Sequence, residues 1–166
     1  MTDGCIDVNV SGKGTVRIIL NGVNVTSSTT APFIVEDAKK VVVTLADGTT
    51  NTFTDSTRAT TDDEDYSAAI TSKADLTFNG NGTLNVNAGY RNGIKSSDDL
   101  KIVSGTFNIT SNEDGIVGKD LLAIKNGTFN ITSGQDGMKS TYDTDDTKGN
   151  IIIDGGTFNI TAATDG

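Results

Sequence analysis

The chain contains the string GTFNIT three times, beginning at Gly105, Gly127 and Gly156, and a divergent copy, GTLNVN, begins at Gly82. The first two intervals between these starts are nearly equal, and the third is longer. Spacing of this size indicates one supersecondary unit per repeat, stacked against its neighbours. The longest interval equals one 22-residue coil plus a seven-residue insertion within residues 141–150, and solenoids place such insertions in loops.

Overlaying the copies places apolar residues in columns that we expect to face inward. Along each strand a polar residue separates one column from the next, as a half-buried strand requires. The columns are Leu76, Leu100, Leu122 and Ile151; Phe78, Ile102, Ile124 and Ile153; Phe107, Phe129 and Phe158; and Ile109, Ile131 and Ile160. Coils stacked about 4.8 Å apart satisfy each other's backbone hydrogen bonds. The sequence therefore predicts an all-β, right-handed parallel β-helix with coils of about 22 to 24 residues.

Residues 1–166 are predicted to form one domain of this kind. Residues 1–66 repeat less clearly and are expected to form irregular N-terminal coils, whereas residues 67–166 carry the regular repeats. The array stops at Asp165 and Gly166, where earlier copies continue into another strand, and we interpret it as truncated at the C-terminus. An uncapped coil exposes strand edges, which allows end-to-end self-association.

The composition excludes several classes of function. Thirteen basic against 22 acidic residues give a net charge of -9, which argues against a nucleic-acid partner and favours cations. The absence of His and the single Cys5 exclude Ser-His-Asp and Cys-His catalysis and zinc sites of the usual His and Cys patterns. No apolar run is long enough for membrane insertion, and the segment MTDGCIDVNV lacks the features of a signal peptide.

Acidic residues also recur in columns. Asn92, Asp114, Asp136 and Asp165 each precede a Gly, and Asp98 and Asp120 form a second column. Carboxylates on adjacent coils would lie about 5 Å apart, which is unfavourable unless protons or a cation compensate. Hard oxygen ligands in turns suit calcium. The predicted calcium ligands are Asp98, Asp99, Glu113, Asp114, Asp120, Asp136 and Asp165. The alternative is that Asp-Gly pairs only build tight turns, because both residues tolerate the left-handed region.

A candidate sugar-binding surface lies beside the acidic columns. Tyr66 and Tyr90 share a column, and stacked tyrosines would contact the apolar faces of sugar rings while neighbouring polar groups bind hydroxyls. The alternative is that the tyrosines only cover an edge of the solenoid. The predicted ligand-binding residues are Tyr66, Tyr90, Arg91, Asn92, Lys95, Lys139 and Tyr142.

Two further interpretations concern lysines and the outward faces of strands. In a polysaccharide lyase, Lys95 or Lys139 would remove a proton beside a uronate carboxylate that calcium neutralises, although acidic neighbours raise a lysine pKa and a base needs it lowered. The outward Thr and Asn residues of the GTFNIT strands form a regular polar array. Such an array is typical of a solvated sheet, a surface for sugar hydroxyls or an ice-binding plane.

The segments LNGVNVTSS, VTLADGTTNTFTD, SAAITSKADLTFNGNGTLNVN, NGIKSSDDLKI, EDGIVGKDLLAI and QDGMKS resemble the polysaccharide-lyase-like carbohydrate-binding β-helix family of cellulolytic bacteria. The resemblance covers nearly the whole chain. It implies a secreted or cell-surface parallel β-helix that binds calcium and associates with cellulose-like and acidic polysaccharides. The family's acidic elements fall on Asp98, Asp99, Asp114, Asp120, Asp136 and Asp165, whereas position 92 carries Asn in place of Asp.

The resulting hypothesis is a non-catalytic, calcium-dependent module that binds plant cell-wall polysaccharide of the cellulose or polygalacturonate type, outside the cell or at its surface. Two alternatives stay open. The first is a pectate-lyase-like polysaccharide lyase. The second is a surface adhesin or self-assembling structural solenoid.

Overall fold

A computed structural model of the chain describes residues 3–12, 14–58 and 66–164. The described residues form a parallel β-solenoid of six coils, and each coil contributes one strand to each of three six-stranded sheets. The prediction of an all-β solenoid is confirmed. In the described part of the chain, no helix is long and apolar enough to cross a membrane.

The three sheets take every third strand in chain order. Sheet 1 contains β1 (Ile6–Asn9), β4 (Phe33–Asp37), β7 (Ala68–Ser72), β10 (Asn92–Ser96), β13 (Ile116–Gly118) and β16 (Met138–Lys139). Sheet 2 contains β2 (Thr15–Leu20), β5 (Lys40–Leu45), β8 (Asp75–Gly80), β11 (Asp99–Ile102), β14 (Leu121–Ile124) and β17 (Asn150–Ile153). Sheet 3 contains β3 (Asn24–Ser27), β6 (Thr50–Asp55), β9 (Thr83–Ala88), β12 (Thr106–Ser111), β15 (Thr128–Ser133) and β18 (Thr157–Ala162).

The pairing register follows the sequence repeat. Leu100 pairs with Leu76 on one side and with Leu122 on the other, so the leucine column runs through three successive coils. Leu122 then pairs with Ile151, across a longer stretch of chain because the insertion lies between β16 and β17. The first coils use the same three sheets with longer connections, since Val41 of β5 pairs with Leu76 of β8.

The core is a set of aromatic and aliphatic ladders inside the coils. The rings of Phe107 and Phe129 stack at 5.2 Å and those of Phe129 and Phe158 at 4.9 Å, whereas Phe78 meets Phe107 edge to face at 5.7 Å. Large aliphatic residues such as Leu100 are fully buried between these rings and the other sheets. Burial of one side chain per coil in each column makes the core continuous along the axis.

The last coil is less covered than the others. Ile151 is 44% exposed and Ile153 is 50% exposed, although both pair in register with buried residues of β14. Their ladder partners Leu122 and Ile124 are 0% and 1% exposed because β17 covers them. End-to-end self-association through this coil stays a prediction.

The glycines that follow Asn92 and Asp114 have a different role from the one expected of Asp-Gly turns. Among the described glycines, positive φ occurs at the turns into sheet 3, as in Gly105 (122°) and Gly127 (142°), and at Gly149 (72°) before β17, whereas Gly93 and Gly115 do not have it. A Cβ on Gly115 would lie 2.5 Å from the carbonyl oxygen of Gly137 in the next coil. The close approach of successive coils, rather than a left-handed backbone, therefore requires glycine there.

Candidate functional site

The column that contains Asn92, Asp114 and Asp136 stacks as predicted and forms a ladder of side-chain caps. The Oδ1 of Asn92 accepts a hydrogen bond from the backbone N–H of Asp114 at 3.0 Å. The Oδ1 of Asp114 accepts one from the N–H of Asp136 at 3.1 Å, and Thr164 Oγ1 donates to Asp136 Oδ1 at 2.6 Å. Each side chain therefore satisfies a donor of the following coil, which explains why short Asx residues occupy this column.

Lys139 supplies positive charge to the two carboxylates of this ladder. Its Nζ lies 2.8 Å from Asp136 Oδ2 and 3.5 Å from Asp114 Oδ2. The hydrogen bond to Asp136 is the largest cause that raises the pKa of Lys139, and Asp114 adds to it. Lys139 thus stays protonated, which suits a counterion and opposes the role of a general base. The fourth predicted member, Asp165, lies outside the described residues.

A groove of about 300 Å³ opens along the edge of sheet 1 beside this ladder. Strands β10, β13 and β16 and the turns that precede them position its lining, and we call it the sheet 1 groove. It is lined by Arg91, Asn92, Lys95, Glu113, Asp114, Val117, Gln135, Lys139 and Thr141. Four of the seven residues predicted to bind sugar therefore come together in one groove.

The polar groups of the sheet 1 groove already have partners that hold them in place. Arg91 Nε lies 3.0 Å from Glu113 Oε2 one coil away, and Lys95 Nζ donates to Ser67 Oγ at 2.9 Å. In the ion pairs of Arg91 with Glu113 and of Lys139 with Asp136, both side chains are partly exposed, so solvent weakens these pairs. The cations are thus oriented by the protein and still accessible to an anionic ligand.

A second acidic cluster lies where sheet 1 passes into sheet 2. Carboxylate oxygens of Asp75, Asp98 and Asp99 lie within 4.8 Å of one another. Partial burial and then the negative charges of Asp75, Asp120 and Asp99 raise the pKa of Asp98. Asp75 was not predicted. It is recognisable because the segment YSAAITSKADLTF is an earlier copy of YRNGIKSSDDLKI, which places Asp75 in one column with Asp99.

Lysines compensate part of this cluster. Lys101 Nζ lies 2.7 Å from Asp99 Oδ2, and Lys148 Nζ lies 2.5 Å from Asp120 Oδ2. Each of these hydrogen bonds is the largest cause that raises the pKa of its lysine. Among the described residues, neither ammonium group pairs with Asp98. The negative charge around Asp98 is therefore only partly compensated.

The predicted tyrosines are packed against cations of the protein itself. The Arg58 guanidinium lies 4.3 Å above the ring of Tyr90, which is 8% exposed, and Arg58 also forms a bidentate pair with Asp55. The hydroxyl of Tyr66 donates to the carboxylate of Glu36. Tyr90 thus offers little open ring surface to a sugar.

Tyr142 occupies the insertion between β16 and β17. The Nζ of Lys148 lies 4.7 Å from its ring centroid and that of Lys119 lies 5.6 Å from it. Because Lys148 also binds Asp120, the insertion is tied to the acidic column of the preceding coil. Lys148 therefore connects Tyr142 and the insertion to that column.

Comparison with known proteins agrees with this architecture. A protein of Acetivibrio thermocellus, named a carbohydrate-binding domain-containing protein, is 39% identical over 110 residues, which cover 64% of this chain and 38% of that protein. The solved polysaccharide lyase-like protein from C. thermocellum, a gadolinium derivative, superposes with a TM-score of 0.91 at 37% identity over 96% of this chain and 65% of that one. This chain thus spans less than two thirds of either relative. A family model described as carbohydrate-binding domain-containing protein matches residues 1–166, and the chain belongs to that family.

Proposed function

We propose that the chain binds acidic polysaccharide of the polygalacturonate type without cleaving it, and that calcium supports this binding. The observation that carries the proposal is the set of three cationic side chains, Arg91, Lys95 and Lys139, in the sheet 1 groove of a protein whose net charge is -9. Family membership supports a polysaccharide ligand, and the groove supports an anionic one. A protein that binds such a ligand would act outside the cell or at its surface.

The sheet 1 groove has the chemistry that a uronate chain needs. The carboxylate of each sugar would take charge-assisted hydrogen bonds from Lys95 and from the N–H groups of Arg91. Gln135 and Thr141 line the same groove and supply neutral donors and acceptors for hydroxyls. Because Lys139 is held protonated by Asp136, it binds negative charge and does not offer a base to remove a proton.

The cluster of Asp75, Asp98 and Asp99 fits calcium. Calcium binds oxygens at about 2.3–2.6 Å, so two ligands on opposite sides of one ion lie about 4.6–5.2 Å apart. Oxygens of the three carboxylates lie within 4.8 Å of one another, which is close enough for them to share one ion. The two neighbouring lysines pair with Asp99 and Asp120 rather than with Asp98. The relative from C. thermocellum is a gadolinium derivative, and gadolinium takes the same hard oxygen ligands. A bound ion would lower the repulsion between this acidic protein and a polyanion.

Replacing Lys95 by alanine is expected to weaken polygalacturonate binding about tenfold, because one charge-assisted hydrogen bond to the ligand is lost. Isothermal titration calorimetry in calcium-containing buffer measures the change. Lys125→Ala is the matched control, because Lys125 is an exposed lysine directly after a sheet 2 strand and its loss alters the net charge equally. Equal weakening in both variants would show that net charge, not the sheet 1 groove, governs binding.

Replacing Asp98 by asparagine is expected to raise the melting temperature by about 1–3 °C at pH 7 without calcium. The raised pKa means that the fold disfavours ionised Asp98, so this destabilisation is present above the raised pKa and is relieved as the pH falls through it. The advantage of the variant should therefore disappear in acid. Differential scanning calorimetry across pH measures it.

Calcium should reverse the order of the melting temperatures of the wild-type chain and Asp98→Asn. Added calcium is expected to stabilise the wild-type chain by binding the folded state, and Asp98→Asn should lose most of this gain. Asp47→Asn is the control, since Asp47 lies in the turn between β5 and β6, away from the cluster. A calcium-induced rise that is the same in Asp98→Asn and the wild type would place the ion elsewhere.

A further inference from the structure

The outward face of sheet 3 consists of threonine and asparagine on all six strands. Along each strand these residues alternate with buried ones, and the parallel register aligns them in three columns. The middle column includes Asn85, Asn108, Asn130 and Asn159. The column beside it includes Thr110 and Thr132, both exposed. We call this surface the Thr–Asn face.

The Thr–Asn face is uncharged in a protein with a net charge of -9. The outward positions of sheet 2 include Asp99 and Lys101, and those of sheet 1 include Lys95 and Lys139. No charged residue occupies an outward position of β3, β6, β9, β12, β15 or β18. A polyanion would therefore gain no ion pair on this face, whereas a neutral ligand avoids the cost of desolvating charged groups there.

Three asparagines of the middle column, Asn85, Asn108 and Asn130, are held in place by one another. Asn108 Nδ2 donates to Asn85 Oδ1 at 2.8 Å, and Asn130 Nδ2 donates to Asn108 Oδ1 at 2.8 Å. An amide has two N–H donors and two acceptor sites, so the ladder uses one donor and one acceptor of Asn108 and leaves a second pair for a ligand. Because the ladder already orders these side chains, a ligand would lose less conformational entropy on binding.

The remaining features define the size and chemistry of the ligand. A groove of about 330 Å³ runs across four coils between the Asn and Thr columns. The outward positions of the six strands contain no aromatic ring that could stack on a sugar, so each contact is a hydrogen bond worth only about 1 kcal/mol. Useful affinity then requires many contacts in succession, which a polymer provides and a monosaccharide does not.

We propose that the Thr–Asn face is a second glycan-binding surface, which takes a neutral, hydroxyl-rich polysaccharide lying along the solenoid axis. This inference rests on one part of the proposed function, namely that the chain binds polysaccharide. It assigns the neutral ligand to sheet 3 and the acidic ligand to the sheet 1 groove. The two ligands should therefore bind independently.

The test compares retention on amorphous cellulose with calorimetric binding of polygalacturonate in calcium. Thr110→Glu/Thr132→Glu adds charge to the face without changing the amide ladder, and it is expected to lower retention on cellulose at least about tenfold. Binding of polygalacturonate should be unchanged. The control Thr44→Glu lies on the outward face of sheet 2 and should keep both activities. Thr110→Val/Thr132→Val removes the hydroxyls with little change in shape, and it should lower retention on cellulose about threefold. This variant decides the test if the double glutamate variant is poorly folded.

The other outcomes show which of the two proposals fails. Unchanged retention of both double variants on cellulose would overturn the inference, as would a wild-type chain that binds polygalacturonate and not cellulose. A wild-type chain that binds cellulose and not polygalacturonate would overturn the proposed function, and the inference would hold if the double variants lost retention. Binding to neither polymer would overturn both.

Discussion

Replacing Phe107 with alanine is expected to lower the free energy of unfolding by about 3–5 kcal/mol. The ring is fully buried, stacks on Phe129 at 5.2 Å and meets the edge of Phe78 at 5.7 Å. Removing it leaves a cavity bordered by the coils above and below, and the continuous hydrogen-bonded sheets limit collapse into that cavity. Urea denaturation followed by circular dichroism measures the loss.

Phe158→Ala is the matched control for this prediction. Phe158 belongs to the same column but is only partly buried and stacks on one ring, that of Phe129, at 4.9 Å. We expect Phe158→Ala to lower the free energy of unfolding by less than about half as much as Phe107→Ala, because fewer contacts are lost. Equal costs for Phe107→Ala and Phe158→Ala would contradict a core built as a continuous ladder.

Replacing Gly115 with alanine is expected to cost about 3 kcal/mol, at the upper end for overpacking by one methyl group. The added Cβ would lie 2.5 Å from the carbonyl oxygen of Gly137 and 2.6 Å from Cγ2 of Ile131. Backbone of the next coil cannot move away without breaking hydrogen bonds of sheet 1, among them the one from the N–H of Ile116 to the oxygen of Gly137. Thermal unfolding measures the loss.

Gly12→Ala is the control for the substitution itself. Gly12 does not have positive φ, and an added Cβ would meet no heavy atom within 4 Å. Its replacement should change stability by less than about 0.5 kcal/mol. If Gly115→Ala were as stable as Gly12→Ala, the claim that successive coils approach too closely at Gly115 to admit a side chain would be contradicted.

The ladders could be predicted from the sequence because identical strands recur at one period. Once Phe107 and Phe129 are overlaid, every other inward residue of those strands falls into register, and β12 pairs with β15 along the whole of both strands. The stacking of Asp114 on Asp136 follows from the same periodicity. Nothing beyond the repeat and the alternation of apolar residues was needed for these contacts.

One contact that differs from expectation involves a residue without a counterpart in the repeat. Arg58 lies in the long connection after β6, and its position over Tyr90 has no periodic signal. The choice of Lys139 as the counterion of Asp114 depends on a side-chain conformation that spacing does not specify. Asp75 does have a counterpart in the repeat, Asp99, but it belongs to the less regular copy that begins at Tyr66.

The most direct test of the proposed function is a titration of the calcium-loaded chain with a galacturonate trisaccharide, followed by backbone amide shifts in NMR spectra. We expect the largest shifts around Arg91, Lys95 and Lys139 in the sheet 1 groove, and we expect them to shrink when a chelator removes calcium. Shifts confined to sheet 2 or to the Thr–Asn face, or an absence of shifts at saturating trisaccharide, would contradict the account.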